Sequence, residues 1–433
     1  MQFLDSSVEG VIHSQVELHP DPGRTIVRPF LPADPDGYVQ QRPRPQRIVD
    51  RALSLGEAQV EMGVKRLLRV AENRPRNFAD YLLDRFDDLN GKEFEHCSVS
   101  DARKKLIAAY FCAEYSYEAA ALFNPSIIPC PWDNQRADGG VKFMMSLRAV
   151  GEGHVSSVTF RSGVWHPDLG FEVDNASNRS VTPRIVTDAS GGNVTRLACE
   201  DGEDISEVVM FPVTPSQRQG IEDMRMVAFS DGGGQPDIFG TYTAYDGRHA
   251  RPEMMHTTDF VNFTLRPLGG RLSTGKGMAL FPRKVGGRYL MLARQDSENI
   301  WLLESDDPFT WDHGCRIVEP AYAWEFVQLG NCGSPIEIDE GWLVLTHGVG
   351  VVRSYAIGAC LLDKNDPGKV LGRLAQPMMR PVPLGARNGY VPNVVYSCGG
   401  MVHDRTLLLP YAVADTFTRF ASVPLDALLA AMR

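Results

Sequence analysis

Two adjacent carboxylates beside an arginine, in Gly220-Ile-Glu-Asp-Met-Arg225, are the residues of this chain best placed for acid–base chemistry. On a regular strand Glu222 and Asp223 point to opposite faces, so only one can address a given site. The plainer reading of the segment is a surface turn. Further polar groups end short apolar strands: Arg148 after Lys142-Phe-Met-Met-Ser-Leu, Tyr245 after Ile238-Phe-Gly-Thr-Tyr-Thr-Ala, Arg294 after Arg288-Tyr-Leu-Met-Leu-Ala, His347 after Trp342-Leu-Val-Leu-Thr, and Asp415 shortly after Thr406-Leu-Leu-Leu-Pro-Tyr411. Taken singly, each could cap its strand or pair with a neighbour. At equivalent points of successive repeats they would converge, and convergent cations and carboxylates in a concave site suit a polar or anionic small ligand. The stretch Ser146–Ser157 sets Arg148, Glu152 and His154 on or beside a Gly-rich bend, but no GxxxxGK[ST] marks it as a phosphate loop. HExxH and GxSxG are absent, so neither a metal ion nor a serine nucleophile has a motif to support it.

The elements that must position these residues repeat. The strand-and-turn unit begins at 142, 238, 288, 342 and 406, and the long first gap holds an insertion around 164 to 214 that reads as an extra strand pair or loop. Thr257-Thr-Asp-Phe-Val-Asn-Phe263 and Ser305-Asp-Asp-Pro-Phe-Thr-Trp311 repeat a second pattern of small residue, Asp and aromatic. An all-strand repeat of about 50 residues predicts propeller blades, five of them. A jelly roll or sandwich is the alternative, but neither predicts that period. The front third differs. Residues 15 to 46, rich in Pro and Arg, read as an extended, partly mobile arm. Helices are expected over Arg47 to Val70, Phe78 to Phe86 and Ser100 to Phe123, the last opened by the capping-box-like Ser98-Val-Ser-Asp101. The fold class expected is therefore an all-β five-bladed β-propeller with an N-terminal mainly α-helical extension. The domains are an arm and helical extension over 1–118, which is expected to dock or assemble, and a catalytic propeller over 119–433.

Composition narrows the partners. With 44 Lys and Arg against 54 Asp and Glu, the net charge of −10 excludes a broadly basic nucleic-acid surface. No run of 18 apolar residues exists to cross a membrane, and Met1 to Gly10 lacks the basic and apolar regions of a secretory signal. The eight cysteines are scattered without a CxxC, which fits reduced thiols in a cytoplasmic protein and no structural zinc.

Phe123-Asn-Pro-Ser-Ile127, Gly220-Ile-Glu-Asp-Met-Arg225, Gly275-Lys-Gly-Met-Ala-Leu-Phe-Pro-Arg-Lys284, Gly330-Asn-Cys-Gly-Ser-Pro335, Gly341-Trp-Leu-Val-Leu-Thr-His-Gly348, Leu361-Leu-Asp-Lys-Asn-Asp-Pro367, Gly389-Tyr-Val-Pro-Asn-Val-Val395 and Tyr411-Ala-Val-Ala-Asp415 follow one another in a specific order. As an ordered set, over roughly 120 to 425, they resemble glycoside hydrolase family 130, the inverting β-mannoside phosphorylases on five-bladed propellers. The resemblance implies a glycoside phosphorylase of the hexosyltransferase type, which transfers a β-mannosyl unit to inorganic phosphate and releases α-mannose 1-phosphate. It implies Asp223 as general acid, acting through the mannose 3-hydroxyl. Asn124, Arg148 and Asp415 would hold the mannosyl unit, and Lys276, Arg294 and His347 the phosphate. Phosphate is co-substrate; no cofactor or metal is implied, and a homo-oligomer is expected. Met224 stands where the family has Pro, and Lys276 where Arg is expected, a point charge in place of a bidentate fork. Phosphorolysis needs one acid plus cations, because phosphate is already an anionic nucleophile, whereas hydrolysis needs a base as well. Glu152, Glu222 or Glu325 could be that base in a β-mannoside hydrolase. A non-catalytic sugar-binding propeller is the third reading.

Overall fold

A computed structural model describes every residue except 1–3, 6, 39–40, 70–73, 75, 133–137, 187–193, 200–201, 203, 382–388 and 433. The molecule is mostly β. Antiparallel strands Ala121–Pro129, Val141–Val150, Ser156–His166 and Gly170–Val173 form one meander, and Gly220–Phe229, Asp237–Tyr245, Ala250–Thr257 and Asn262–Pro267 form the next. A single parallel contact, Gly220 with Ser156, joins them into one eleven-stranded sheet. The expected insertion is seen as the strand pair Arg184–Val186 and Thr195–Ala198, added to the outer edge of the second meander. Three further sheets follow, led by Ala279–Leu280, Gln328–Asn331 and Val395–Tyr396.

Each group of strands hydrogen-bonds to the next. Met226 N–H donates to Ser126 Oγ (2.9 Å), Thr241 Oγ1 to the Met278 carbonyl (2.5 Å) and Leu329 N–H to the Glu298 carbonyl (2.9 Å). Tyr355 N–H donates to the Asn393 carbonyl (2.9 Å), and Cys398 N–H returns to the Pro125 carbonyl of the first group (2.8 Å). The apolar cores lie within and between these sheets, where alternate side chains of consecutive groups interleave.

The front third departs from the sequence reading in three places. The helix expected over Arg47 to Val70 is two, Arg44–Leu53 and Glu57–Arg69. Arg103, almost fully buried, donates to the carbonyls of Ala52, Leu53 and Leu55 and so satisfies the orphan acceptors at that break. The helix expected over Ser100 to Phe123 ends at Ala109, and its N-cap is Ser100, which accepts from Arg103 N–H, in place of the Ser98 that the capping-box pattern marked. Cys112–Ser116 is instead a strand paired with Thr25–Pro29. Local propensity favoured helix there; the waiting backbone of Thr25–Pro29 decided otherwise.

The third departure concerns the arm. Ile12–Leu18 is the outer strand of the last sheet, paired with Phe417–Pro424, and Glu17 bonds Arg419 (3.2 Å). Strand hydrogen bonds therefore cross the boundary expected at 118. Arg24, from the same arm, pairs with the fully buried Glu118, which also holds Arg161. The arm is pinned at both of these points. Deleting residues 1–19 should uncover the edge of Phe417–Pro424 and lower the melting temperature by at least about 4 °C. An unchanged melting curve would show that the strand adds nothing.

Candidate active site

Two strands carry the same irregularity. Ala121–Pro129 is bulged between Phe123 and Ser126, and Gly220–Phe229 between Glu222 and Arg225. In each bulge one residue adopts left-handed backbone: Asn124 (φ +48°) and Asp223 (φ +53°). Asn and Asp are the non-glycine residues that tolerate this region best. The Asn124 amide donates to Asp223 Oδ1 at 2.7 Å, so the two bulges meet across adjacent strand groups.

The bulge corrects one expectation. Glu222 and Asp223 do not address opposite faces, because the extra residue and the positive φ break the alternation of the strand. Both reach Arg148, whose Nη2 donates to Glu222 (2.9 Å) and whose Nη1 donates to Asp223 (3.1 Å). Glu222 also accepts from Lys276 Nζ at 2.7 Å. The fully enclosed Arg225 donates to the Asp223 carbonyl and to the Tyr396 hydroxyl (3.1 and 2.9 Å). Burial raises the Asp223 carboxyl, but Arg148, Arg225, the Asn124 amide and Lys276 more than offset it and hold the group at about 2. Asp223 is a carboxylate at neutral pH.

Asp415, also left-handed (φ +50°), is set oppositely. Burial and the nearby Asp223 charge raise it to about 6, against the pull of Arg148 and Arg353. It lines a cavity of about 140 Å³ with Phe123, Arg148, His154 and Tyr390. Because the folded state binds this proton more tightly than the unfolded chain, Asp415 stabilises least above its raised value. Stability is lost as pH climbs from about 4 through about 6. Asp415→Asn should therefore gain up to about 3 kcal/mol over the parent at pH 8 and little at pH 4. Melting curves at the two pH values check this; an equal effect at both would refute it.

Arg294 and His347 lie together, with Arg294 Nη1 3.1 Å from His347 Nε2. The sequence reading took His347 as part of a cation set, and the structure departs from it. Burial first, then the neighbouring Arg294 and Arg225 charges, push the imidazole well below its ordinary pKa, so it is neutral. Its Nδ1 lies 3.9 Å from Cys332 Sγ, and because a guanidinium can only donate, Nε2 accepts from Arg294. Gln328 Nε2 lies 3.3 Å from the same nitrogen. Gly330 makes the arrangement fit, since a Cβ there would come within 2.5 Å of His347 Cε1. Lys276 sits between Gly275 and Gly277, whose backbone runs alongside Arg294. Among the described residues, Arg294 Nε and Asn331 Oδ1 are buried with no hydrogen-bond partner.

Tyr245 does not join the site. It pairs with Gly220, two residues beyond the level of the bulge, and its hydroxyl donates to the Gly247 carbonyl. Glu325 is spent on Arg373 (2.7 and 2.9 Å). Sequence reasoning missed Arg225 as a support for Asp223, Glu222 as the bridge to Lys276, and Tyr396, Gln328 and Asn331. Arg225 and Tyr396 stood within or beside quoted motifs; nothing local marked Gln328.

Residues 198–433, more than half of the chain, match the family model for glycoside hydrolase family 130, described as beta-1,4-mannooligosaccharide phosphorylase. The chain belongs to glycoside hydrolase family 130. Among relatives in the family, a 1,2-beta-oligomannan phosphorylase of Thermoanaerobacter sp. (strain X514) is 39% identical over 142 residues, 33% of this chain and 48% of that protein. A beta-1,2-mannobiose phosphorylase of the same organism is 32% identical over 227 residues, 50% of this chain and 72% of that protein. The chain thus spans about half the length of the first of these relatives. A solved structure of beta-1,2-mannobiose phosphorylase from Listeria innocua, in complex with beta-1,2-mannobiose, shares the fold at TM-score 0.51 and 23% identity, covering 72% of this chain and 92% of that one. Against the family 130 pattern, Met224 in place of Pro is buried in the core against Gly240. It frees Asp223 from the restriction that a following proline imposes on backbone conformation.

Proposed function

We propose that this chain is an inverting β-mannoside phosphorylase built on a five-bladed propeller, which converts a β-mannosyl disaccharide or oligosaccharide and phosphate to α-mannose 1-phosphate. The propeller reading is supported by the five strand groups, each hydrogen-bonded to the next and the last to the first. The observation that carries the activity is one carboxylate, Asp223, gripped by Asn124 and Arg148 and linked through Glu222 to Lys276.

In this reading the mannosyl unit occupies the space bordered by Asn124, Arg148 and Asp415. Phosphate binds at Lys276 and Arg294, with neutral His347 orienting the guanidinium. The atoms balance without an outside proton. Hydrogen phosphate attacks the anomeric carbon as the glycosidic bond breaks, and the proton it gives up ends on the released hydroxyl. Asp223 carries that proton. It rests ionised because three cations, Arg148, Arg225 and Lys276, surround it; the negative charge of phosphate at Lys276 offsets one source of that field and lifts its proton affinity.

Hydrolysis is the weaker reading. Its base would stand across the site from the acid, with room for water between. Glu222 instead shares the Arg148 guanidinium with Asp223 and is held by Lys276. Turnover of β-mannosides with and without phosphate, following mannose 1-phosphate against free mannose, tests the proposal. Free mannose released at the same rate in both conditions would establish a hydrolase.

A further inference from the structure

We propose that His154 and Tyr390 form an aromatic clasp that holds the leaving-group sugar. The two side chains come from segments 236 residues apart, and their ring centroids lie 5.5 Å apart, with the Tyr390 hydroxyl 3.4 Å from His154 Nδ1. Neither ring is sunk in the core: Tyr390 is 66% exposed, and His154 projects from the bend between Val141–Val150 and Ser156–His166 with left-handed backbone (φ +59°). Both are tied to their surroundings by the backbone: His154 N–H donates to the Gly151 carbonyl (3.1 Å). Tyr390 N–H donates to Thr416 Oγ1 (2.9 Å) and Val391 N–H to the Ala414 carbonyl (3.0 Å), which fixes the tyrosine to the turn that carries Asp415.

The clasp borders the same 140 Å³ cavity as Arg148 and Asp415. It is contributed by the first strand group and by the turn segment that borders the last sheet. Lys276 and Arg294 flank strands of the sheet led by Ala279–Leu280, and His347 lies in the one after it; Glu222, next to Asp223, accepts from Arg148 on one oxygen and from Lys276 on the other. An inverting displacement brings the nucleophile in opposite the departing oxygen. With phosphate at the cations, the departing sugar lies toward His154 and Tyr390. An exposed aromatic pair with polar edges suits a sugar ring, which presents apolar C–H faces and hydroxyl rims. The inference rests on the phosphorylase reading only for the side from which the nucleophile comes.

Binding separates the two ideas. Calorimetry with β-1,2-mannobiose, β-1,4-mannobiose and methyl β-mannoside, which lacks a leaving-group sugar, is compared across the parent, Tyr390→Ala, Tyr390→Phe and His154→Ala. Tyr390→Ala should weaken the better-bound mannobiose about tenfold, the scale of one aromatic contact, and leave methyl β-mannoside unchanged. Tyr390→Phe should keep most of the affinity, because the ring carries the contact. Equal weakening of all three ligands, or weakening of none, would overturn the clasp. Phosphate-independent release of mannose would overturn the phosphorylase reading while leaving the same calorimetric comparison to decide the clasp.

Discussion

Asp223→Asn should lower kcat by roughly 10²–10⁴ while leaving sugar binding largely intact, the range for loss of a positioned proton donor. Asparagine is the informative replacement. It tolerates the left-handed backbone that Asp223 adopts and keeps an oxygen for Asn124 and Arg148, so the bulge should survive. Alanine at φ +53° would add backbone strain to any chemical defect. A leaving group that needs no proton provides the control. On 2,4-dinitrophenyl β-mannoside the Asn variant should recover most of its rate, whereas a collapsed site would remain slow on every substrate. Near-normal turnover of a mannobiose by Asp223→Asn would end the assignment.

Arg294→Ala should raise the apparent KM for phosphate by about 10- to 100-fold, corresponding to about 1.5–3 kcal/mol for a lost charge-assisted contact. Among the described residues no carboxylate pairs with Arg294; its contact is the neutral His347. A half-buried guanidinium without a counter-charge costs the fold something and favours an incoming anion. Its removal should therefore leave the melting temperature unchanged or slightly raised. Had Arg294 served to tie two strand groups together, the variant would melt early with its phosphate dependence intact. Initial rates over a phosphate series, alongside melting curves, distinguish the outcomes.

The sequence carried the identities of the site residues further than their relations. Strand-end polar groups could be read from where apolar runs stop, because burial of a strand leaves its polar residues at the ends. That reading located Arg148, Arg294, His347 and Asp415. It misplaced Tyr245, since counting from strand starts cannot register a bulge that shifts one strand against its partner by a residue. The same bulge is why Glu222 and Asp223 share a face. The neutral state of His347 was equally hidden: it depends on full enclosure and on Arg294 arriving from another sheet. In the front third, the run from Ser100 to Phe123 has the composition of a helix throughout, and it is broken by the pairing of Cys112–Ser116 with Thr25–Pro29 and of Ala121–Phe123 with Arg148–Val150. Properties of single residues survived the step from sequence to structure; properties of register and long-range pairing did not.

Pairing of Ile12–Leu18 with Phe417–Pro424 has a consequence for biosynthesis. The first strand leaves the ribosome about 400 residues before its partner, a delay of roughly 20–80 s at ordinary elongation rates. Throughout that interval its backbone donors and acceptors have no sheet to join. The nascent chain is protected by the strand's own side chains: Ile12-His-Ser-Gln-Val-Glu-Leu18 interrupts its apolar residues with His, Ser, Gln and Glu, which lowers its tendency to pair with neighbouring chains on the same message. Completion of that sheet is then a late event in which two segments about 400 residues apart find each other. Premature termination anywhere upstream of Phe417 would leave Ile12–Leu18 without its mate, so truncated translation products should be recognised and cleared as unfinished even when most of their sheets have formed.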